Sequence, residues 1–479
     1  MTNPDLTNLD KFYVGGRWVA PISGQKLPVL DPATEAKVGT VSLGNSDDVN
    51  SAVSAASDAF KSYRFTSKED RLSLLKAVKT VTENRFEDLA QAMRIEMGAP
   101  ISMARAAQAD AGLGHLDGFI EALELLEEQL ELSNSDIMIR EPIGVCGLIT
   151  PWNWPINQIA LKVLPALATG CTCVLKPSEH TPISAMVYAE ILNEAGFPPG
   201  VFNLVNGTGA GVGAALSRHP DVRMMSFTGS TNAGIAVTHD AAPTVKRVTL
   251  ELGGKSPNIV FADCGLEERV AASVTKAMFN TGQSCNAATR LLVERKCYNQ
   301  ALRIAKRTAE AIKVGDPAIE GVHIGPLFDE LQYNRVQDMI ELGIKEGATL
   351  LAGGPGKPPD HNVGWFVKPT VFADVTNDMR IAQEEIFGPV LVIIPFLDEA
   401  EAIEIANDTP YGLAAYIQTK DMVRARRVSR QLQAGAVHLN GAGMAYGSPF
   451  GGFKQSGNGR EGGMMGLEDY LETKTLHGF

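Results

Sequence analysis

Cysteine is scarce in this chain of 479 residues: there are six, at Cys146, Cys171, Cys173, Cys264, Cys285 and Cys297, and no Cys-x-x-Cys spacing. That excludes a disulfide-stapled scaffold and a thioredoxin-type redox motif, and it points to a reducing compartment. Long apolar runs are also missing. The longest, Val390 to Leu397, is interrupted by a proline and falls well short of the ~18 residues that a membrane span needs. The start, Met1 to Tyr13, is polar and carries no signal-peptide core, and no C-terminal sorting tail is evident, so the expected location is the cytoplasm. Positive charge is in deficit, with 43 basic against 55 acidic residues and a net charge of −12. A chain of that balance is not built around nucleic acid or an anionic membrane surface. The eight histidines (115, 180, 219, 239, 323, 361, 438 and 477) show no zinc-ligand spacing, so no metal is expected. Two glycosylation sequons, Asn206-Gly-Thr208 and Asn407-Asp-Thr409, read as chance matches without a secretory route.

What is present is an ordinary globular composition, 44% apolar and 20% charged, in a chain long enough for two to three domains at about 150 residues each. Residues 46–132 read as helices. Val49, Val53 and Phe60 recur at helical spacing, as do Phe119, Leu123, Leu126 and Leu130, and the acidic run Glu121, Glu124, Glu127, Glu128 and Glu131 reads as a solvated helix face. From Gly144 the pattern changes to short apolar runs at 144–150, 171–176, 201–205, 222–227, 245–250 and 257–261, alternating with amphipathic stretches. A second set follows at 290–293, 348–352, 390–396 and 413–417, separated by helical patterns at 299–313, 331–345, 398–406 and 421–432. This alternation predicts an α/β chain with two doubly wound, mostly parallel sheets. The Gly- and Pro-rich segment 353–359 predicts a surface loop inside the second unit.

Glycine-rich segments do not match the common nucleotide fingerprints. Gly207-Thr-Gly209-Ala-Gly211-Val-Gly213 gives no Gly-x-Gly-x-x-Gly register, so it reads either as a cofactor loop or as a tight turn before a helix. Phe227-Thr-Gly229-Ser230 follows a predicted strand and opens a helix, where free backbone N–H groups can receive a phosphate. Ile235-Ala236 stands where a P-loop would carry Lys-Ser/Thr, which removes the NTPase reading.

Cys285, in Asn280-Thr-Gly282-Gln283-Ser284-Cys285-Asn286, sits on an irregular polar segment and is the best nucleophile candidate of the six; the alternative is a bystander thiol. Glu251 ends a β-rich run beside two glycines. Burial there would raise its pKa and suit it to take a proton from water, whereas a lysine partner would make it a plain salt bridge. Asn153, in Pro151-Trp-Asn153-Trp-Pro155, could donate to a developing oxyanion or cap a turn. Lys176 and Glu179 sit at the carboxyl edge of a predicted strand, where Glu179 could accept from ribose hydroxyls or simply pair with a lysine.

Together these segments resemble the NAD(P)-dependent aldehyde dehydrogenase superfamily. The resemblance rests on PWNWP (151–155), KPSE (176–179), FTGS (227–230), ELGGKSP (251–257), FNTGQSCNAATR (279–290), EEIFGPV (384–390), YGLAA (411–415) and PFGGFKQSGNGRE (449–461), in that order. It implies a Rossmann-type cofactor domain, an α/β catalytic domain and a β-hairpin oligomerisation arm. The implied boundaries are 1–121 and 142–252 for the cofactor domain, 253–452 for the catalytic domain, and 122–141 with 453–479 for the arm. The local sequence Leu132 to Arg140 suits a short turn and an exposed strand.

By the same resemblance Cys285 is the nucleophile, Glu251 the general base, Asn153 the oxyanion-stabilising amide and Lys162 a lysine associated with proton transfer. Lys176 and Glu179 would hold the adenosine ribose, Ser230 the pyrophosphate, and Glu385 with Phe387 the nicotinamide-ribose end. Thr150, Trp152, Gly209, Phe227, Gly229 and Leu252 would complete the cofactor contacts. The implied reaction is oxidation of an aldehyde to the carboxylic acid through a thioester on Cys285. The negative Glu179 favours NAD over NADP as cofactor. Trp152, Trp154, Met444 and Tyr446 could line an aromatic channel, which suggests a hydrophobic or aromatic aldehyde, or they could serve only in packing. A homodimer or homotetramer is expected on symmetry grounds. The runners-up are a CoA-acylating aldehyde dehydrogenase and a catalytically silent binding relative.

Overall fold

Helices begin where the sequence supplies caps. Asn45 accepts from the N–H groups of Asp47 and Asp48 while Asp48 returns to the Asn45 N–H, opening the helix Ser46–Tyr63; Ser67 and Asp70 do the same for Lys68–Asn84. The structure is a computed structural model that describes residues 4–22, 24–132 and 135–479. Ser133 and Asn134 of the expected turn therefore lie outside the described residues. Among the described residues, no helix is long and apolar enough to cross a membrane.

The helical reading of 46–132 extends too far. The helix Asp110–Leu125 stops at Leu126, and Gln129–Glu131 is a strand in which Leu130 lies opposite Met138. Carboxylates gathered at the C-terminal end of a helix oppose its dipole, and pairing with Ile137–Pro142 offers the backbone another partner. The acidic run is not merely solvated, because Glu124 pairs with Lys76 at 3.1 Å and Glu128 pairs with the buried Arg71. Four N-terminal strands, Phe12–Val14, Arg17–Val19, Gln25–Leu30 and Lys37–Leu43, went unread, as did Thr370–Ala373 and Ala436–Leu439.

Two large sheets position the site. In the first, the neighbouring strands run Gly457–Asn458, Arg247–Glu251, Val222–Thr228, Val145–Ile149, Thr172–Lys176, Phe202–Leu204, Phe12–Val14 and Arg17–Val19. The five central strands are parallel. Among these five the chain starts at Val145–Ile149, winds outward through Thr172–Lys176 to Phe202–Leu204, then returns to the other side at Val222–Thr228. Strand order therefore reverses beside Val145–Ile149, and a ligand crevice opens at the carboxyl ends of strands at such a reversal. The second sheet orders Thr349–Ala352, Thr370–Ala373, Val390–Phe396, Arg290–Glu294, Pro257–Val260, Ala414–Gln418 and Ala436–Leu439, all parallel except the first. Residues 353–359 form a loop in this unit, as expected.

A third, antiparallel sheet joins Leu471–Leu476, Ile137–Pro142 and Gln129–Glu131. It takes only part of the segments expected for the arm. Gly457–Asn458 instead extends the edge of the first sheet by pairing with Leu250 and Glu251.

One buried cation ties the second sheet to the turn that carries the site. Arg290 is wholly buried and donates to the carbonyls of Lys255 (2.9 Å), Ile405 (2.9 Å) and Ala406 (2.9 Å) and to Asn377 Oδ1 (2.8 Å). Its replacement by methionine would strand three buried carbonyls at a cost of about 3 kcal/mol or more. Arg290→Met is expected to lower the thermal midpoint clearly relative to the wild type in a melting experiment; an unchanged midpoint would show that water replaces the guanidinium freely.

Candidate functional site

The carboxyl ends of the central parallel strands deliver the expected residues side by side. Thr150 and Asn153 follow Val145–Ile149, Gly229 and Ser230 follow Val222–Thr228, and Glu251 and Leu252 end Arg247–Glu251. One cavity of about 160 Å³ is lined by Trp152, Asn153, Gly229, Ser230, Leu252, Cys285, Glu385 and Phe387. The sequence thus gathers eight of its candidate residues on one surface. Gln158, Thr228, Gly253, Gln332 and Arg335 also line it and were missed. Thr228 and Gly253 lie inside quoted motifs. Gln332 and Arg335 carry no local signal: they stand on the helix Glu330–Lys345 and brace a distant loop, Gln332 Nε2 donating to the carbonyls of Ile386 (3.0 Å) and Phe387 (2.8 Å) and Arg335 to that of Glu385 (2.6 Å).

The cysteine loop is held in a conformation that side-chain residues seldom adopt. Asn280 and Thr281 have φ of 53° and 57°, and Gly282 follows with φ 70°. Left-handed backbone at a β-branched residue persists only where its surroundings over-determine it. Here Asn280 Nδ2 donates to the carbonyls of Asn153 (3.0 Å) and Gln283 (3.1 Å), and a Cβ on Gly282 would lie 2.1 Å from the Gly388 carbonyl oxygen. Phe387, on the facing loop, has φ 61°. The loop also bonds its neighbours: Trp154 Nε1 donates to Ser284 Oγ at 2.7 Å, and Asn153 Nδ2 donates to the Gln283 carbonyl at 3.0 Å. That bond fixes the amide of Asn153, which carries a second N–H for a ligand.

Cys285 is partly accessible, yet the environment does not stabilise its thiolate, contrary to the expectation for a reactive loop cysteine. Burial, then the carboxylates of Glu385 and Glu251, push the thiol well up. Glu251 is buried, and neither carboxylate oxygen has a hydrogen-bond partner. It makes no ion pair among the described residues; burial and the nearby Glu461 raise its pKa well above the carboxylate range, against the pull of Lys162. Lys162 lies on the helix Pro155–Ala168, wholly buried, paired with Glu461 and donating to Ser226 Oγ at 3.2 Å. Glu461, which closes the last quoted motif, was missed as its partner.

The cofactor candidates divide into two groups. Ser230 caps the helix Thr231–Ala241, its Oγ accepting from the Ala233 N–H, and a Cβ on Gly229 would lie 2.6 Å from the Phe227 ring. Thr150 Oγ1 and Thr228 Oγ1 are buried without partners at this crevice. Glu385 Oε1 accepts from the Gly254 N–H at 2.9 Å, and burial pushes its carboxyl up to about 7. Trp152 stacks on Phe328 with ring centroids 3.8 Å apart and meets Phe387 edge-on at 5.4 Å. Lys176, Glu179 and Gly209 lie outside this cavity. Lys176 is saturated by Glu179 (2.9 Å) and the carbonyls of Pro177 (2.7 Å) and Gly207 (2.7 Å), so the ion-pair alternative is present. Gly209 is exposed at the start of the turn Gly209–Gly213. Met444 is exposed, and Tyr446 packs on His115 with ring centroids 5.0 Å apart while its hydroxyl reaches Asp110 Oδ2 at 3.3 Å.

A doubly wound sheet with an accessible cysteine and a partnerless buried glutamate at its switch point defines a cysteine-dependent oxidoreductase architecture. The chain belongs to the aldehyde dehydrogenase family, whose sequence model matches residues 18–476. It is 52% identical to a 3-succinoylsemialdehyde-pyridine dehydrogenase of Pseudomonas sp over 98% of each chain. Among solved structures it is similar to aldehyde dehydrogenase C of Pseudomonas syringae, solved with NAD+ and octanal (48% identity, TM-score 0.99, 100% and 99% coverage). It is also similar to an indole-3-acetaldehyde dehydrogenase solved with NAD+ (38% identity, TM-score 0.94, 98% and 96% coverage).

The raised thiol has a measurable consequence. Alkylation of Cys285 in the ligand-free protein by iodoacetamide is expected to be slow at pH 7 and to accelerate about tenfold per pH unit toward pH 9, because only the thiolate reacts. A rate already level below pH 8 would show a preformed thiolate.

Proposed function

We propose that the protein oxidises an aldehyde to its carboxylic acid with NAD as hydride acceptor. The observation that carries this reading is the single cavity on which Cys285, Asn153, Ser230 and Glu385 converge. The fit of the cofactor rests on the helix N-terminus at Ser230, which suits a pyrophosphate, and on the partnerless hydroxyls of Thr150 and Thr228. Glu385 and Phe387 would hold the nicotinamide ribose, with Gln332 and Arg335 bracing their loop, and Glu179, oriented by its pair with Lys176, would accept from the adenosine ribose. NAD, when bound, supplies the acceptor for the hydride that the substrate carbon loses.

The chain's own residues do the rest. The Cys285 thiol releases its proton to water and Sγ adds to the aldehyde carbon, and the second N–H of Asn153 with the Cys285 backbone N–H stabilises the oxyanion. Oxidation leaves a thioester on Cys285. Glu251, free of any hydrogen-bond partner and raised in pKa, takes a proton in its carboxylate form from the water that hydrolyses the thioester. The Lys162 ammonium, itself paired with Glu461, favours the carboxylate form of Glu251 through its charge. Because the base must be deprotonated, kcat falls as pH drops through the raised pKa of Glu251, well above the ordinary carboxylate range.

The aromatic lining that Trp152 and Phe387 give the cavity favours an apolar or aromatic aldehyde, in keeping with the octanal and indole-acetaldehyde relatives. The six free thiols suit a reducing, cytoplasmic setting. The exposed edge of the small antiparallel sheet suits a homodimer or homotetramer.

Mixing the protein with NAD or NADP and a panel of aliphatic, aromatic and amino aldehydes, with and without CoA, reads the reaction by reduced-nicotinamide absorbance. CoA-independent turnover favouring NAD is expected; strict dependence on CoA would replace the hydrolytic reading with an acylating one. Cys285→Ala is expected to abolish turnover while the fold persists, and retained activity would assign the nucleophile elsewhere. Glu251→Gln should allow one burst of reduced cofactor and then lower steady turnover about 100-fold or more, the scale of a lost general base. Steady turnover at the parent rate would withdraw that role.

A further inference from the structure

One side-chain amide on the wall of the catalytic cavity is unbonded, and no step above uses it. Gln158 is 4% exposed and lines the cavity together with Cys285 and Asn153. Its Oε1 is buried without a hydrogen-bond partner, and its Nε2 donates to none of the described residues. The other two amides on that lining are tied: Asn153 to the Gln283 carbonyl at 3.0 Å, and Gln332 to the carbonyls of Ile386 (3.0 Å) and Phe387 (2.8 Å). The helix Pro155–Ala168 and its cap explain where Gln158 stands. Trp154, Gln158 and Lys162 are four residues apart and share one face. Trp154 Nε1 donates to Ser284 Oγ at 2.7 Å, next to the nucleophile, and Lys162, whose charge acts on Glu251, donates to Ser226 Oγ at 3.2 Å. The middle member of this row therefore lies between the groups that flank nucleophile and base, and it alone has no partner.

We propose that Gln158 is a specificity-determining residue whose amide N–H donates to a second carbonyl oxygen on the aldehyde, so that the preferred substrates are oxo-aldehydes on an otherwise apolar skeleton. The proposal rests on the reading of this cavity as the place of aldehyde oxidation. A buried amide without partners is costly, and its bonds are completed by what enters the cavity. A ketone oxygen supplies the acceptor that Nε2 lacks, whereas a methylene at the same place leaves the donor unpaired. An uncharged oxygen suits the site better than a carboxylate. Glu385 lines the same cavity and in its carboxylate form repels a second anion, while Arg335, the only cation among the described lining residues, already donates to the Glu385 carbonyl at 2.6 Å. The rest of such a molecule meets Trp152, Leu252 and Phe387, which reward apolar surface.

The test compares pentanal, hexanal and heptanal, each with the same chain carrying a ketone at its penultimate carbon, by kcat/KM at saturating NAD in the wild type, Gln158→Leu and Gln158→Met; KM for NAD is read separately. The wild type is expected to prefer one of the three ketones over its parent aldehyde about five- to tenfold, the scale of a hydrogen bond between neutral groups, and both variants should bring that ratio close to one. Methionine keeps the length of the side chain and withdraws only the donor, so loss in both variants assigns the effect to the N–H and not to shape. A ratio kept by either variant would overturn the proposal, and so would a rise in KM for NAD with the ratio unchanged, which would turn Gln158 toward the cofactor. Wild-type turnover with no ketone preferred would overturn the proposal alone and leave aldehyde oxidation standing; no turnover of any aldehyde would overturn the oxidation reading and this proposal with it. Should neither variant fold, the wild-type ratios still decide: a preference confined to one ketone position supports a fixed donor, and equal ratios at all three positions overturn it.

Discussion

Three backbone segments cross at the site with less room between them than a methyl group needs. A Cβ on Gly254 would sit 2.4 Å from the Cys285 carbonyl oxygen, one on Gly253 would sit 2.4 Å from Glu385 Oε2, and one on Gly282 would sit 2.1 Å from the Gly388 carbonyl oxygen. The base-bearing turn, the cysteine loop and the glutamate loop are therefore one packed unit. This crossing sets the distances on which the chemistry depends, because a shift in any strand is transmitted by contact to the other two. Ser456 locks the same unit from outside, its Oγ donating to the Gly253 carbonyl at 2.7 Å and accepting from the Gly412 N–H at 2.9 Å.

Around this crossing the electrostatics follow from exclusion of water. Glu251, Glu385, Cys285 and Lys255 are all displaced toward their neutral forms, and burial is the leading cause each time. Beside them, Lys162 has Glu461 bonded to it and Ser226 within reach. The site thus contains one buried ion pair and several groups held close to a change of protonation state.

Much of this was legible in the chain because the motifs sit at strand ends. Apolar runs such as 144–150 and 222–227 locate strands by length and flanking turns, and a sheet that reverses order at Val145–Ile149 places their following residues together without further information. The brace was not legible. Gln332 and Arg335 look like surface residues of an amphipathic helix, and their role depends on carbonyls 50 or more residues away. Gln129–Glu131 was hidden for a related reason, since its leucine spacing fits a helix and only pairing with Ile137–Pro142 decides for a strand. The state of Cys285 could not be read either, because a polar loop in sequence became a desolvated wall once Glu385 and Glu251 closed on it.

That last feature bears on how the enzyme survives between turnovers. A permanently ionised sulfur in an open cavity would climb the oxidation ladder to sulfenic and sulfinic acid. With burial and two nearby carboxylates disfavouring ionisation, Cys285 rests as a thiol in the idle protein. The arrangement trades a slower first encounter for chemical durability in the idle protein.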